Sequence, residues 1–200
     1  MKIVVITTPY FHIDEIKCVT ALFRAGLELL HLRKPQSSIQ DCARWLKGIP
    51  EEYVHRVVLH DHFRLVEDFN VKGVHLNGRN PNPPENWNGH VSRSCHSVDE
   101  LIAFKERCDY LFLSPIFDSI SKEGYNSELT EETILTAKNE GFIDHKVYAL
   151  GGMTATHLKM AREWGFGGAA FLGDVWNRFQ NNGIGKGIEH FQELKRIADM

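Results

Sequence analysis

The chain opens without a long apolar run: Ile3 to Ile6 is too short for a membrane span or for the hydrophobic segment of an export signal. Cysteine is sparse and unpatterned. Cys18, Cys42, Cys95 and Cys108 form no C-x-x-C pair and fit no zinc-ligand spacing, so buried, inert packing is expected of each. With no export signal, a cytoplasmic protein with reduced thiols is expected. Excess basic charge is missing too. A formal charge of −3 and a pI near 6.4 exclude any general attraction to nucleic acid or an anionic membrane. No charge block or linker divides the 200 residues, so one domain spanning 1–200 is expected.

What the chain does have is 42% apolar content, enough for one core, arranged in a regular alternation. Eight short apolar, β-branched runs recur at 2–7, 27–32, 55–60, 71–76, 90–94, 109–114, 146–150 and 167–172, each with the length of a buried strand. Helical patterns separate most of them, at 14–26, 39–48, 63–69, 98–108, 130–141, 155–165 and 186–198. Ser97 with Glu100 three residues on reads as a capping box, and Thr154 as an N-cap. Gly26, Gly48, Gly141 and Gly165 stand where helices stop. The stretches 77–90 and 177–185, rich in Asn, Pro or Gly, read as loops.

Strand–helix alternation of this kind demands parallel strands joined by crossovers. Eight units predict a closed (β/α)₈ TIM barrel, small beside the typical length of about 250 residues. An open doubly wound sheet is the alternative, but no G-x-G-x-x-G follows the first strand. In a barrel, chemistry gathers at the C-terminal strand ends. There the chain carries Thr7-Thr8, "HLRKP" (31–35), "LHD" (59–61), "HLN" (75–77), "RSCHS" (93–97), "SPIFDSISK" (114–122), "LGGM" (150–153) and "LGD" (172–174).

Period-two alternation sets His31 and Arg33 on one face of the second strand and Lys34 on the other. A guanidinium at the barrel mouth suits phosphate, although a rim Arg often just pairs with a carboxylate. Asp61 can ligate a metal, act as a base or cap the turn that follows. Glycine turns after the last two strands, opposite Arg33 and Lys122, favour a phosphate site, because backbone N–H groups can approach an anion there. His31, His60 and His75 end successive strands, but the first strand, "VVITTPY", lacks the H-x-H pair of a metallohydrolase barrel.

Taken in order, "HLRKP", "HDH", "GVHLNGRN", "SCHS", "SPIFDSISK" and "LGGM" match the strand-end motifs of one family. The chain resembles thiamine phosphate synthase and the related thiazole tautomerase over nearly its whole length. The resemblance implies a transferase that couples hydroxymethylpyrimidine pyrophosphate to hydroxyethylthiazole phosphate with release of pyrophosphate, assisted by Mg²⁺. It puts Arg33, Lys122, Ser94, Ser119 and Ser121 on the pyrophosphate, with His31 at a pyrimidine-contacting position and catalytic together with Arg33 and Lys122. His60 and His96 join the substrate-binding set, and Gly152, Leu172 and Gly173 grip the thiazole phosphate. Asp61 and Asn80 fall on metal-ligand positions. The departures are Asn80 for a carboxylate, Pro35 for a lysine, His60 for an asparagine and Ile120 for a hydroxyl residue. Pro115 stands where some tautomerases carry a catalytic histidine. A metal-independent tautomerase using His31, His60 or His96 as base is therefore an alternative, as is a non-catalytic binder of thiazole phosphate or thiamin phosphate. Phosphorylated small molecules are the expected partners, with neither nucleic acid nor membrane, and a homodimer is compatible with the sequence.

Overall fold

The structure, a computed structural model, describes residues 1–117 and 129–200. Eight parallel strands close into a barrel in chain order. They are β1 (Lys2–Ile6), β2 (Leu29–Leu32), β3 (Val57–Leu59), β4 (Gly73–Leu76), β5 (His90–Cys95), β6 (Tyr110–Leu113), β7 (Val147–Leu150) and β8 (Gly168–Phe171). Closure comes from β8 pairing back onto β1, with Lys2 opposite Gly168 and Val5 opposite Phe171. Around them lie α1 (Glu15–Arg24), α2 (Ile39–Gly48), α3 (Glu51–Val54), α4 (Val98–Phe104), α5 (Glu131–Asn139), α6 (Ala155–Glu163) and α7 (Gly173–Asp199). No described helix is long and apolar enough to cross a membrane. The TIM barrel anticipated from the alternation is the architecture observed.

Alternation along each strand divides the core in two. Val5, Leu30, Leu32, Leu111 and Leu113 pack outward with Val19, Leu22, Leu158 and Phe191 of the helices. Val4, Ile6, Tyr110, Phe112, Tyr148 and Ala170 fill the barrel itself. At about 1.5–3 kcal/mol for each large side chain removed from water, the outer layer supplies most of the burial. The inner layer is unusual in holding His31 and His75, both at 0% exposure.

Three elements differ from the sequence expectation. The helix expected over 63–69 is a 3₁₀ turn, Phe63–Glu67, entered through His62 at φ 54°. The β3–β4 connection is too short to propagate an α-helix, whose first turn is the costly one. The loop expected over 177–185 instead belongs to α7, which is interrupted only at Gly183 (φ 79°, ψ 175°). Trp176, Phe179, Gly187, Phe191 and Leu194 form one buried stripe, and that burial outweighs the poor helix propensity of the Asn and Gly residues. The short helix α3 follows Pro50 and carries no side-chain cap. Elsewhere the punctuation reads as expected. Ser97 accepts from the Glu100 N–H, and Thr154 from the His157 N–H. The Glu100 carboxylate reaches the His96 N–H at 2.7 Å, one residue further out than a standard capping box.

One buried ion pair ties the first helix to the barrel rim. Lys34 Nζ donates to both Glu15 carboxylate oxygens at 2.7 and 2.8 Å, and to the Thr8 and Tyr10 carbonyls at 2.8 and 2.7 Å. Glu15 also accepts from Trp45 Nε1 at 2.9 Å and Thr8 Oγ1 at 3.2 Å. Both charged side chains are 0% exposed. Lys34 therefore serves the outer layer, while its neighbour Arg33 is left to the mouth.

Candidate active site

A cavity of about 340 Å³ opens at the C-terminal ends of the strands. That is within the range of small-molecule sites. Arg33, His60, Asn77, Arg79, Ser94, His96, Ser114, Gly151, Gly152, Leu172, Gly173 and Asp174 are among its lining residues.

Arg33 is fixed by its backbone. Thr7 Oγ1, at the end of β1, accepts from the Arg33 N–H at 2.9 Å and donates to its carbonyl at 3.3 Å. The guanidinium has no hydrogen-bond partner among the described residues and faces the cavity. Burial pushes its pKa down, helped by the charge of Arg79 and opposed by Asp61. An arginine so perturbed still carries its charge at neutral pH.

Near enough for its charges to act on Arg33, the loop after β4 folds around Asn77. Asn77 Nδ2 donates to the His60 and His75 carbonyls at 2.8 and 3.1 Å. Its Oδ1 accepts from the Arg79 and Asn80 N–H groups at 3.0 and 3.3 Å. This presents Arg79 to Asp61, whose Oδ1 accepts from Arg79 Nε at 3.1 Å, Arg79 Nη2 at 3.0 Å and Asn80 Nδ2 at 3.3 Å. Asn80 Nδ2 also donates to the His60 carbonyl at 3.0 Å. Asp61 does not cap the turn beginning at His62.

The magnesium expected at Asp61 and Asn80 does not fit this donor set. Mg²⁺ needs near-octahedral hard oxygen ligands. Here one carboxylate is present, already paired with a guanidinium, and Asn80 directs its N–H₂ toward that carboxylate. Asp61 Oδ2, buried and without a donor among the described residues, is a single oxygen left over.

Below the mouth the histidines form a ladder. His31 Nδ1 meets His60 Nε2 at 2.7 Å, and His31 Nε2 meets the Tyr110 hydroxyl. His75 Nδ1 and Nε2 meet Ser92 Oγ and Ser94 Oγ, both at 2.8 Å. His60 and His75 stack at 4.1 Å between ring centroids. Burial is the main cause that drives all three pKa values down, that of His75 to about 3. All three are neutral imidazoles at physiological pH. His31 is completely buried and does not line the cavity, so it reaches the mouth only through His60. Among the described residues, His31, His60 and His75 are the one group of three potential metal ligands brought together. Their ring nitrogens are largely engaged with one another and with hydroxyls, and imidazole nitrogen is a poor donor for magnesium.

The remaining wall is built for close approach. His96 Nδ1–H donates to the Ser114 carbonyl at 2.9 Å, leaving Nε2 without a partner among the described residues. Gly151 and Gly152 take φ of 96° and 62°, and a Cβ on Gly151 would lie 2.9 Å from Pro115 Cα. Leu172 and Gly173 open α7, whose unpaired N–H groups end at the cavity. Trp176 Nε1 donates to the Ile6 carbonyl at 2.7 Å and locks that helix start to β1. Ser119, Ser121 and Lys122 lie outside the described residues, as does Ile120.

Arg33, His60, Ser94, His96, Gly152, Leu172 and Gly173 thus converge on one cavity, with Asp61 and Asn80 beside it. Sequence reasoning passed over Arg79. The signal was there: a cation next to a neutral residue at a position expected to be acidic.

The family model described as thiamine monophosphate synthase matches residues 3–175. A thiamine-phosphate synthase from Dictyoglomus thermophilum is 26% identical over 154 residues, covering 72% of this chain and 68% of that protein. One from Phocaeicola vulgatus is 23% identical over 182 residues, covering 84% and 86%. Among solved structures, thiamine phosphate pyrophosphorylase from Bacteroides thetaiotaomicron superposes with a TM-score of 0.90 at 46% identity, covering 100% of this chain and 98% of that one.

Proposed function

Because the chain belongs to the thiamine monophosphate synthase family, we propose that its cavity carries out that family's transfer reaction, joining hydroxymethylpyrimidine pyrophosphate to hydroxyethylthiazole phosphate. The observation that carries this reading is the pairing of two guanidiniums, Arg33 and Arg79, with two glycine-lined strand ends across one cavity. Two phosphate-bearing substrates need two anion sites, and this arrangement offers one to each.

In the proposed reaction the thiazole nitrogen forms a C–N bond to the pyrimidine methylene carbon. The C–O bond to pyrophosphate breaks, and its electron pair leaves with the pyrophosphate. Negative charge grows on the departing oxygen, and cations already in place stabilise it without reorganisation. Arg33 suits this role because its guanidinium has no partner among the described residues and its backbone is held on both sides by Thr7. The thiazole phosphate would lie against the Gly151–Gly152 turn and the start of α7, where backbone N–H groups and the helix dipole favour an anion. Ser94 and His96 Nε2 face the space between and are assigned to the pyrophosphate. His60 is assigned to the pyrimidine, with His31 and Tyr110 fixing its orientation from below. Lys122, Ser119 and Ser121 are proposed to complete the pyrophosphate grip.

Mg²⁺ is the cofactor implied by the family, but the donor set does not fit a protein-held ion, and no step here runs through one. The tautomerase alternative needs a base near neutral pH. His31 and His60 are held neutral with strongly lowered pKa, which makes both weak bases, so this reading rests on His96, which lines the cavity with Nε2 unpartnered among the described residues.

The test is incubation with both substrates, with Mg²⁺ and with EDTA, and detection of thiamine phosphate and pyrophosphate. Equal release of both products only when both substrates are present is expected. No product under any metal condition would refute the proposal.

A further inference from the structure

We propose that the Arg79 guanidinium, anchored by Asp61, takes the place of a protein-bound divalent cation at the pyrophosphate end of this cavity. The inference rests on reading the cavity as a pyrophosphate site.

Four observations carry it. Asp61 is the one carboxylate at this wall among the described residues, and its Oδ1 already accepts three N–H groups, two of them from Arg79. Asn80 is turned so that its N–H₂, not its oxygen, faces Asp61 and the His60 carbonyl. The loop is closed by reciprocal backbone bonds between Asn77 and Asn80, both 3.0 Å, with Asn77 Oδ1 holding the Arg79 N–H. Arg79 is thus pre-placed rather than free to swing. It lines the same cavity as Arg33, and Nη1 has no partner among the described residues.

The charge balance agrees. Among the described residues, Asp61, Arg79 and Asn80 sum to zero and Arg33 adds one positive charge, while the other carboxylate lining the cavity, Asp174, is engaged with His190 at 2.6 Å. A divalent ion added here would face two guanidiniums with, among the described residues at this wall, a single carboxylate, already paired, to hold it. A guanidinium supplies planar N–H donors matched to phosphate oxygens and needs no octahedral shell. One free oxygen, Asp61 Oδ2, falls well short of the six ligands Mg²⁺ prefers.

The experiment is calorimetric titration of the whole chain with inorganic pyrophosphate, in EDTA and in excess Mg²⁺, with Mg²⁺–pyrophosphate complexation measured separately. The wild-type dissociation constant is expected to stay within about 3-fold between the two conditions. Arg79→Gln should weaken binding in EDTA about 10- to 100-fold, the loss of one charge-assisted contact. Arg79→Gln combined with Asn80→Asp should restore binding with Mg²⁺ alone, and unchanged circular dichroism would show that both variants fold. Asn80→Asp by itself gives a second, milder variant: it should create a Mg²⁺ response that the wild type lacks. Wild-type binding that disappears in EDTA and returns with Mg²⁺ would overturn the inference and leave the pyrophosphate site standing. Pyrophosphate binding in neither condition would overturn both.

Discussion

Replacing Glu15 with leucine should destabilise the barrel far more than its position on a surface helix suggests. The substitution leaves the Lys34 ammonium, 0% exposed, with neutral partners alone among the described residues: the Thr8 and Tyr10 carbonyls and the face of Phe11 at 4.7 Å. It also removes the acceptor of Trp45 Nε1. Breaking a buried pair from one side costs about 3–5 kcal/mol, because an uncompensated charge stays inside. At about 2–4 °C per kcal/mol for a chain of this size, the melting temperature should fall by roughly 6–20 °C. Adding Lys34→Met to Glu15→Leu removes the stranded charge and should recover part of the loss. The sign of the pH dependence follows from Lys34, whose pKa burial already lowers and Glu15 supports. Without Glu15 it falls further, so the folded state sheds that proton before the unfolded chain does. Stability of Glu15→Leu should then rise relative to wild type as pH increases from 7 to 9. Thermal unfolding followed by circular dichroism reads all of this. A single variant melting within about 3 °C of wild type, or a double variant no more stable than the single, would refute the reasoning.

Gly151→Ala, with φ of 96° and a Cβ that would meet Pro115 Cα at 2.9 Å, should distort the turn and weaken binding of hydroxyethylthiazole phosphate at least about 10-fold. Titration with that ligand checks it, and unchanged affinity would separate the turn from the phosphate. The ladder histidines have folded-state pKa values below the ordinary 6.5, that of His75 about 3, so the unfolded chain binds more protons below pH 6.5. Each therefore contributes stability at neutral pH that is lost as pH falls from 6.5 toward its folded value, at up to about 1.4 kcal/mol per pH unit per group. Melting curves at pH 7, 6 and 5 should show this loss, and His75→Gln should flatten it; an identical slope would count against the assignment. All four cysteines are buried and unpaired, and burial raises the thiols of Cys18 and Cys42 to about 11 and Cys95 to about 12. A thiol reagent should leave the native protein unlabelled within minutes and label it fully in denaturant.

Much of this protein is legible in the sequence alone. Eight apolar runs separated by helical patterns specify parallel strands with crossovers, and strand geometry then puts the polar residues of 31–35, 93–97 and 150–153 at one end of a barrel. Such features depend on neighbours in the chain, so period, caps and glycines reveal them. Period two even separated Arg33 from Lys34, and the structure puts the first at the cavity and the second in a buried ion pair.

Other features depend on contacts between residues far apart in the chain. No local pattern shows that Lys34 meets Glu15, that His31 sits beneath His60, or that Asp61 holds a guanidinium 18 positions on. The α7 segment at 177–185 carries loop-like composition yet is helical on both sides of a break at Gly183, because Trp176, Phe179 and Phe191 are buried in the core. The sequence by itself determined the barrel and which end of it is polar, because both follow from short-range geometry. Only the tertiary structure decided which cation faces the cavity and which histidines are neutral, because charge and burial depend on what the closed barrel brings together.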